Sequence, residues 1–244
     1  MTATRCLIVN ADDFGQTAGI NRGIVEAHER GVVTSASLLV FHPAAEEAAK
    51  LVRRYPTLSV GLHLDYGEWG RVRDTWYPIY EVDARSARAA RLAARRQLER
   101  FRELMGRDPT HLDSHQHAHR EEPVRGVALA LASELGVPLR HFADGVLYRG
   151  SFYGQVNGEP RLDAITPAAL AASIAELQPG VTEIGCHPGY PEGLYSSYRD
   201  ERRTELRTLC SSVVRSALNA YGVELVSFET APLTAPTGLR KPRP

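Results

Sequence analysis

Short runs of β-branched and apolar residues alternate along the chain with longer stretches whose apolar positions recur about every 3.6 residues. The short runs predict strands over 6–10 (CLIVN), 35–41 (SASLLVF), 59–64 (SVGLHL), 110–115 (THLDSH), 138–142 (PLRHF), 182–187 (TEIGCH) and 223–228 (VELVSF). The longer stretches predict helices over 20–30, 43–54, 84–105, 122–135, 167–177 and 200–221. Gly31, Gly106, Gly136, Gly180 and Gly222 each follow a helical stretch and precede a strand, where a helix stop signal is expected. Such alternation implies an α/β fold with a parallel sheet. Seven units fit either an open doubly wound sheet or a seven-stranded barrel-like form. No GxGxxG follows the first strand and no GxxxxGK[ST] occurs, so the usual nucleotide-binding uses of an open sheet lose support and the barrel-like form gains.

Two segments exceed ordinary loop lengths, Asp65 to Asp83 and Ala143 to Ile165, and both are rich in glycine and aromatic residues. Long loops in compact domains are usually functional. Residues 1–229 read as one catalytic domain, and the proline-rich segment 230–244 reads as a disordered tail. A chain of 244 residues buries enough surface to fold without disulfides or a structural metal, so a metal site here would serve function. The 29 Lys+Arg are balanced by 29 Asp+Glu and no basic run stands out, which removes nucleic acid as an expected partner. Three cysteines, Cys6, Cys186 and Cys210, are odd in number and lack CxxC spacing; they argue against a disulfide scaffold or zinc ribbon and point to a reducing cytoplasm. The start of the chain has no signal-peptide pattern and no apolar run approaches a membrane span.

The candidate chemistry lies at predicted strand ends, where parallel βα folds place their ligands. Asp12 and Asp13 close the first strand, His63 the third, Asp113 and His115 the fourth, and His187 the sixth. Asp and His are poor strand residues, and burying them costs stability unless they are paired or bind something. Adjacent carboxylates at a strand end point in different directions, so one can hold a metal while the other acts as a general base; a helix-capping turn is the plain alternative. His63 alone would read as a core histidine. In THLDSHQHAH, Asp113 and four histidines occupy odd positions and share one face if the strand continues. Imidazoles so crowded suggest a metal or carboxylate network over a solvated loop. His187 runs into a Pro-Gly turn. One Asp with two His is an open set for Zn²⁺ or a similar ion, and a free carboxylate and an opposing histidine would complete metal-assisted hydrolysis.

NADDFG, TSASLLV, GLHL, THLDSHQHAH and CHPGY, in this order from Asn10 to Tyr190, resemble the YdjC-like carbohydrate deacetylases, chitooligosaccharide deacetylases among them. The resemblance implies a seven-stranded (β/α) barrel-like fold related to polysaccharide deacetylases and hydrolysis of an acetamido group on a sugar, giving acetate and a free amine. It implies Asp13, His63 and His115 as metal ligands, Asp12 as general base and His187 as acid. His117 competes with His115 for the second histidine position because both have the same parity. Zn²⁺ is the first ion expected, with Mg²⁺, Mn²⁺, Co²⁺ and Ni²⁺ as alternatives. Trp69 and Trp76, with Tyr66 and Tyr77 beside them, could stack on a sugar or pack an excursion onto the fold; Tyr190 is added as a sugar contact. Arg140 could orient Asp12 or form a structural salt bridge. An N-acetylated sugar is the expected partner, and a homodimer is the base-rate expectation.

Two other classes compete. A metal-dependent phosphoesterase or other amidohydrolase would use a two-metal site, for which few spare carboxylates are available. A non-catalytic sugar- or metal-binding module would have no need of an unliganded carboxylate beside a ligand.

Overall fold

The computed structural model describes residues 4–72, 75–196 and 198–233. Its sheet is parallel and has seven strands: β1 (Arg5–Phe14), β2 (Ser35–Leu38), β3 (Ser59–Leu64), β6 (Leu112–Ser114), β7 (Val146–Arg149), β10 (Gly180–Cys186) and β11 (Val223–Leu225). The hydrogen-bonded order is β6-β3-β2-β1-β10-β7, with β11 pairing the first residues of β1. The sheet curls into an incomplete barrel. Among the described residues no ladder joins β6 to β7, and a single Leu112–Leu139 bridge extends the β6 side.

The helices α1 (Ala18–Glu29), α2 (Ala45–Val52), α3 (Ala87–Met105), α4 (Val124–Leu135) and α5 (Pro167–Ala175) lie where the apolar period placed them. The predicted helix 200–221 is two helices, α6 (Asp200–Leu209) and α7 (Ser212–Tyr221), because the Ser211 side chain accepts from the Val213 amide and caps a new start. Gly106, Gly136 and Gly222 are left-handed C-caps as expected. Gly31 and Gly180 are not caps; α1 ends on Arg30, and Gly180 opens β10.

Two further corrections concern strands. The predicted strand 138–142 contributes one bridge only, and the seventh strand, β7, comes from the segment expected to be a long loop. That segment also holds a small hairpin, β8 (Gln155–Val156) with β9 (Glu159–Pro160). The other expected loop folds into the antiparallel hairpin β4 (Gly67–Val72) and β5 (Thr75–Glu81). Its aromatic residues serve different ends: Tyr66 is buried and donates to the Ala90 carbonyl, whereas Trp76 is 55% exposed.

The main core fills the space between sheet and helices with aliphatic residues such as Leu7, Val9, Leu38, Leu62, Leu98 and Leu131. A smaller cluster of Cys6, Ile8, Val181, Val226 and Phe228 also packs Ala231 and Leu233, so the start of the expected tail is part of the fold. The remainder of that tail, 234–244, lies outside the described residues. Among the described residues no helix is long and apolar enough to cross a membrane.

Candidate metal centre and active-site cleft

The carboxyl ends of β1, β3 and β6 open into a cleft of about 410 Å³. Strand alternation would send Asp12 and Asp13 to opposite faces. Instead the β1–β2 register slips between Ala11 and Phe14, and Asp13 adopts a left-handed φ of 66°. This bulge turns both carboxylates into one cleft, at a conformational cost that a non-glycine residue bears only where its surroundings impose it.

Asp13, His63 and His115 each offer one ligand atom, and these atoms lie within 4.8 Å of one another. Asp13 Oδ1 is 3.4 Å from His63 Nε2 and 2.9 Å from His115 Nδ1. All three residues are buried. Asp113 lies behind His63, its Oδ1 2.7 Å from Nδ1, and accepts a 2.7 Å hydrogen bond from Ser37. A carboxylate that fixes one imidazole nitrogen aims the other at the centre, the usual support of a metal-binding histidine. Burial opposes charge on these rings, yet Asp113 raises the His63 pKa to about 9 and Asp13 raises that of His115 to about 10. The set therefore attracts positive charge. His115 Nε2 is buried without a hydrogen-bond partner, 3.7 Å from Glu68 Oε2. A mixed carboxylate–imidazole set of this kind fits a divalent ion of the Zn²⁺ type.

His117, the competing second ligand, lines the same cleft but is not grouped with Asp13 and His63. The strand ends at Ser114, and the following turn puts Gln116 and His117 in left-handed conformations, φ 49° and 55°, so the shared face expected for the histidines is broken. His111 is a core residue, hydrogen-bonded through Nε2 to Ser37 and stacked on Phe228. Gln116 exchanges two hydrogen bonds, 2.9 and 2.8 Å, with the Trp69 backbone and pins the β4–β5 hairpin beside the cleft.

Arg140 is the main functional residue that sequence reasoning undervalued. Its guanidinium is buried and binds Asp12 through both oxygens at 2.6 and 2.8 Å, Asp113 at 2.8 Å and Glu183 at 2.7 Å. Burial would raise the Asp12 pKa, but Arg140 outweighs it and holds the carboxyl below its ordinary range. Arg140 shares one charge among three carboxylates, of which Asp113 also faces His63, and Glu183 is the one that burial pushes up, to about 7. A raised carboxyl pKa contributes stability that is complete below the unfolded value of 4.5 and is lost as pH rises through about 7. Glu183→Gln, which mimics the protonated acid, is expected to fold normally and to remove that decline, on the order of 3 kcal/mol between acid and alkaline conditions. Urea midpoints across pH decide it, and an unchanged pH slope in the variant would exclude the protonated carboxyl.

Across the cleft, His187 Nε2 is 3.9 Å from Asp12 Oδ2. The His187 backbone amide donates to Glu205 Oε2, and Nδ1 lies 3.8 Å from Oε1. Tyr198 donates its hydroxyl to Glu205. Arg202 of α6, also buried, donates to Asp13 Oδ2 at 2.6 Å and holds that carboxyl well below its ordinary range against the cost of burial. Neither Arg202 nor Glu205 carried a sequence signal beyond its place in an amphipathic helix.

The expected sugar contacts separate. Trp76 lines the cleft together with Tyr148 and Tyr153, while Trp69 is on the same hairpin but does not line it. Tyr190 is a correction. Its hydroxyl donates to Glu26, its ring lies near Arg22 and Arg203, and it borders a separate surface depression. The turn that carries it docks α1: a Cβ on Gly23 would fall 2.5 Å from Gly189 Cα, so bare backbone meets bare backbone there.

A sequence profile of the YdjC-like protein family matches residues 6–220. The chitooligosaccharide deacetylase of Salmonella paratyphi B (strain ATCC BAA-1250 / SPB7) is 33% identical, covering 92% of this chain and 98% of that protein. Among solved structures, a protein of Enterococcus faecalis V583, described provisionally as a cellobiose-phosphate cleavage protein, has a TM-score of 0.76 at 29% identity. It covers 93% of this chain and 98% of its own. A family 4 carbohydrate esterase from Streptomyces lividans, solved with acetate, has a TM-score of 0.54 at 12% identity over 96% of this chain and 100% of its own. The last likeness concerns fold alone, and it agrees with the expected barrel-like α/β fold.

Proposed function

This chain belongs to the YdjC-like family, and from that premise we propose that it is a carbohydrate deacetylase. It hydrolyses the acetamide of an N-acetylated amino sugar to acetate and a free amine, using a divalent ion held by Asp13, His63 and His115. What supports this most is the cleft itself: an ionised carboxylate outside the ligand set, Asp12, stands beside that set and 3.9 Å from His187.

Such an ion would supply Lewis-acid polarisation of the amide carbonyl and make nearby water more acidic. Asp12 accepts the proton of the water that adds to the carbonyl carbon, and Arg140 keeps it ionised at neutral pH. His187 delivers a proton to the nitrogen as the C–N bond breaks, and Glu205 steadies its ring. Trp76, Tyr148 and Tyr153 offer apolar ring surface for a sugar. Zn²⁺ is the first ion to supply, followed by Mg²⁺, Mn²⁺, Co²⁺ and Ni²⁺. The unpaired Cys6, Cys186 and Cys210 favour a cytoplasmic setting.

A second group, Asp12, His63 and Asp113, also brings ligand atoms within 4.8 Å. Arg140 pairs with both of the group's carboxylates, and the group's one imidazole, His63, is shared with the Asp13 set, which weighs against a two-metal phosphoesterase. Acetate release from a panel of N-acetylated sugars is expected from metal-restored protein and not from chelator-treated protein. Release that survives complete metal removal, or no release from any sugar by fully loaded protein, would sink the proposal.

A further inference from the structure

Three imidazoles lie outside the proposed ligand set and catalytic pair: His117 and His119 in the turn after β6, the former also lining the cleft, and His141 beside Arg140. His117, His119 and His141 each offer a nitrogen, and the three atoms lie within 4.8 Å of one another. Their ring centroids are 5.1 Å apart for His117 and His141, 5.6 Å for His119 and His141, and 6.0 Å for His117 and His119. Among the described residues none of the three forms an ion pair with a carboxylate. The Nδ1 of His117 is buried with no hydrogen-bond partner.

The backbone is committed to this arrangement. His117 and His141 both have left-handed φ, 55° and 69°, a conformation that histidine adopts more readily than most side chains and that turns both rings toward the cluster. His119 is fully buried, with Nδ1 2.6 Å from Ser114 Oγ and Nε2 3.1 Å from the Arg140 carbonyl. His141 is exposed and opens the cluster to solvent. Arg140 pairs with Asp12, Asp113 and Glu183, yet its charge still reaches all three imidazoles, and that of Arg120 reaches His141.

We propose that His117, His119 and His141 form a second metal site, distinct from the set on Asp13, which takes Zn²⁺ on three imidazole nitrogens. Nitrogen-only donors suit Zn²⁺ and similar transition ions and exclude Mg²⁺, which requires oxygen. On binding, His119 turns Nε2 from the Arg140 carbonyl to the ion and donates from Nδ1 to Ser114 Oγ, the outer-shell bond that fixes a ligating ring. Solvent on the His141 side leaves the remaining position to water, so this site is open. It stands independently of the deacetylase reading.

The test is Zn²⁺ titration of the full chain after chelator treatment and dialysis, followed by calorimetry and by metal analysis of the dialysed protein. His141→Asn is the principal variant, since asparagine tolerates the left-handed backbone and the side chain is exposed. Wild type is expected to hold two equivalents. His141→Asn and His63→Ala are each expected to hold one, and His141→Asn to weaken its equivalent by more than the about 100-fold that loss of an outer-shell partner costs. Mg²⁺ is not expected to displace the ion lost in His141→Asn. An unchanged Zn²⁺ stoichiometry and affinity in His141→Asn would overturn the second site. A loss confined to His141→Asn, with His63→Ala unaffected, would support it and would count instead against the ion proposed on Asp13.

Discussion

Asp12→Asn is expected to lower acetate release about a thousandfold while leaving the metal content unchanged, because it removes a proton acceptor and no ligand. Asp13→Asn, one residue on, should lose the metal and the activity together. The neighbouring pair thus gives opposite signatures in metal analysis and similar ones in the acetate assay. Arg140 keeps Asp113 and Glu183 in Asp12→Asn, so the fold should hold. The pH profile adds a check: the base belongs to a carboxyl held below its ordinary range, so protonation of Asp12 itself should not lower the rate between neutral pH and 3.8. A variant that retains rate within tenfold would remove Asp12 from the mechanism.

The largest expected effect on stability is that of Arg140→Met. Removing the guanidinium leaves Asp12 and Glu183 buried without their cation and Asp113 with His63 alone, a loss of about 3 to 5 kcal/mol. In a domain of this size that corresponds to roughly 10 °C in thermal midpoint. The sign of the pH dependence separates this cause from lost packing. In the wild type, Asp12 and Asp113 have depressed pKa values, so they add stability above 3.8 that is lost as pH falls below it. Without Arg140, burial of Asp12 is no longer opposed by that cation and its carboxyl is expected to rise, so its contribution is lost as pH rises. The gap between wild type and Arg140→Met should therefore narrow from about pH 8 to about pH 5. A gap that is constant across that range would assign the loss to packing instead.

Much of the architecture was legible because βα alternation is written in local apolar periods, and the strand at Ser59–Leu64 matched to the residue. The misassigned seventh strand shows the limit of that signal. PLRHF is as apolar as VLYR, but only the latter pairs with β10, and edge pairing is a tertiary outcome that no local pattern encodes. The β4–β5 hairpin was missed for a similar reason: its face is largely exposed, so the hydrophobic alternation that marks a strand is weak.

In the candidate site, acids and imidazoles at strand ends pointed to the cleft, because burying them without partners is costly. The choice between His115 and His117 was beyond parity, since two left-handed residues after Ser114 replace strand geometry with a tight turn. Glu183, Arg202 and Glu205 were invisible, and the weight of Arg140 was hidden, for a different reason. Each sits in an ordinary strand-edge, strand or helix context, and its importance comes from partners 18 to 189 residues away that only the folded chain brings close.

The position of β1 also sets an order in time. It pairs with β10 from Arg5↔Gly180 to Ala11↔Cys186 and with β11 beside Arg5 to Leu7, and Asp13 meets Arg202 across 189 residues of chain. During synthesis, β1, β2 and β3 leave the ribosome well before either later strand exists. One flank of β1 stays unpaired until then, an open edge of the kind that invites wrong pairings. Contacts this remote form slowly, because a long loop must close before they repay its entropy. The working geometry is thus acquired late and all at once: an amino-terminal fragment carrying Asp12, Asp13, His63 and His115 would hold every residue of the expected ligand set and still lack the structure that aims them.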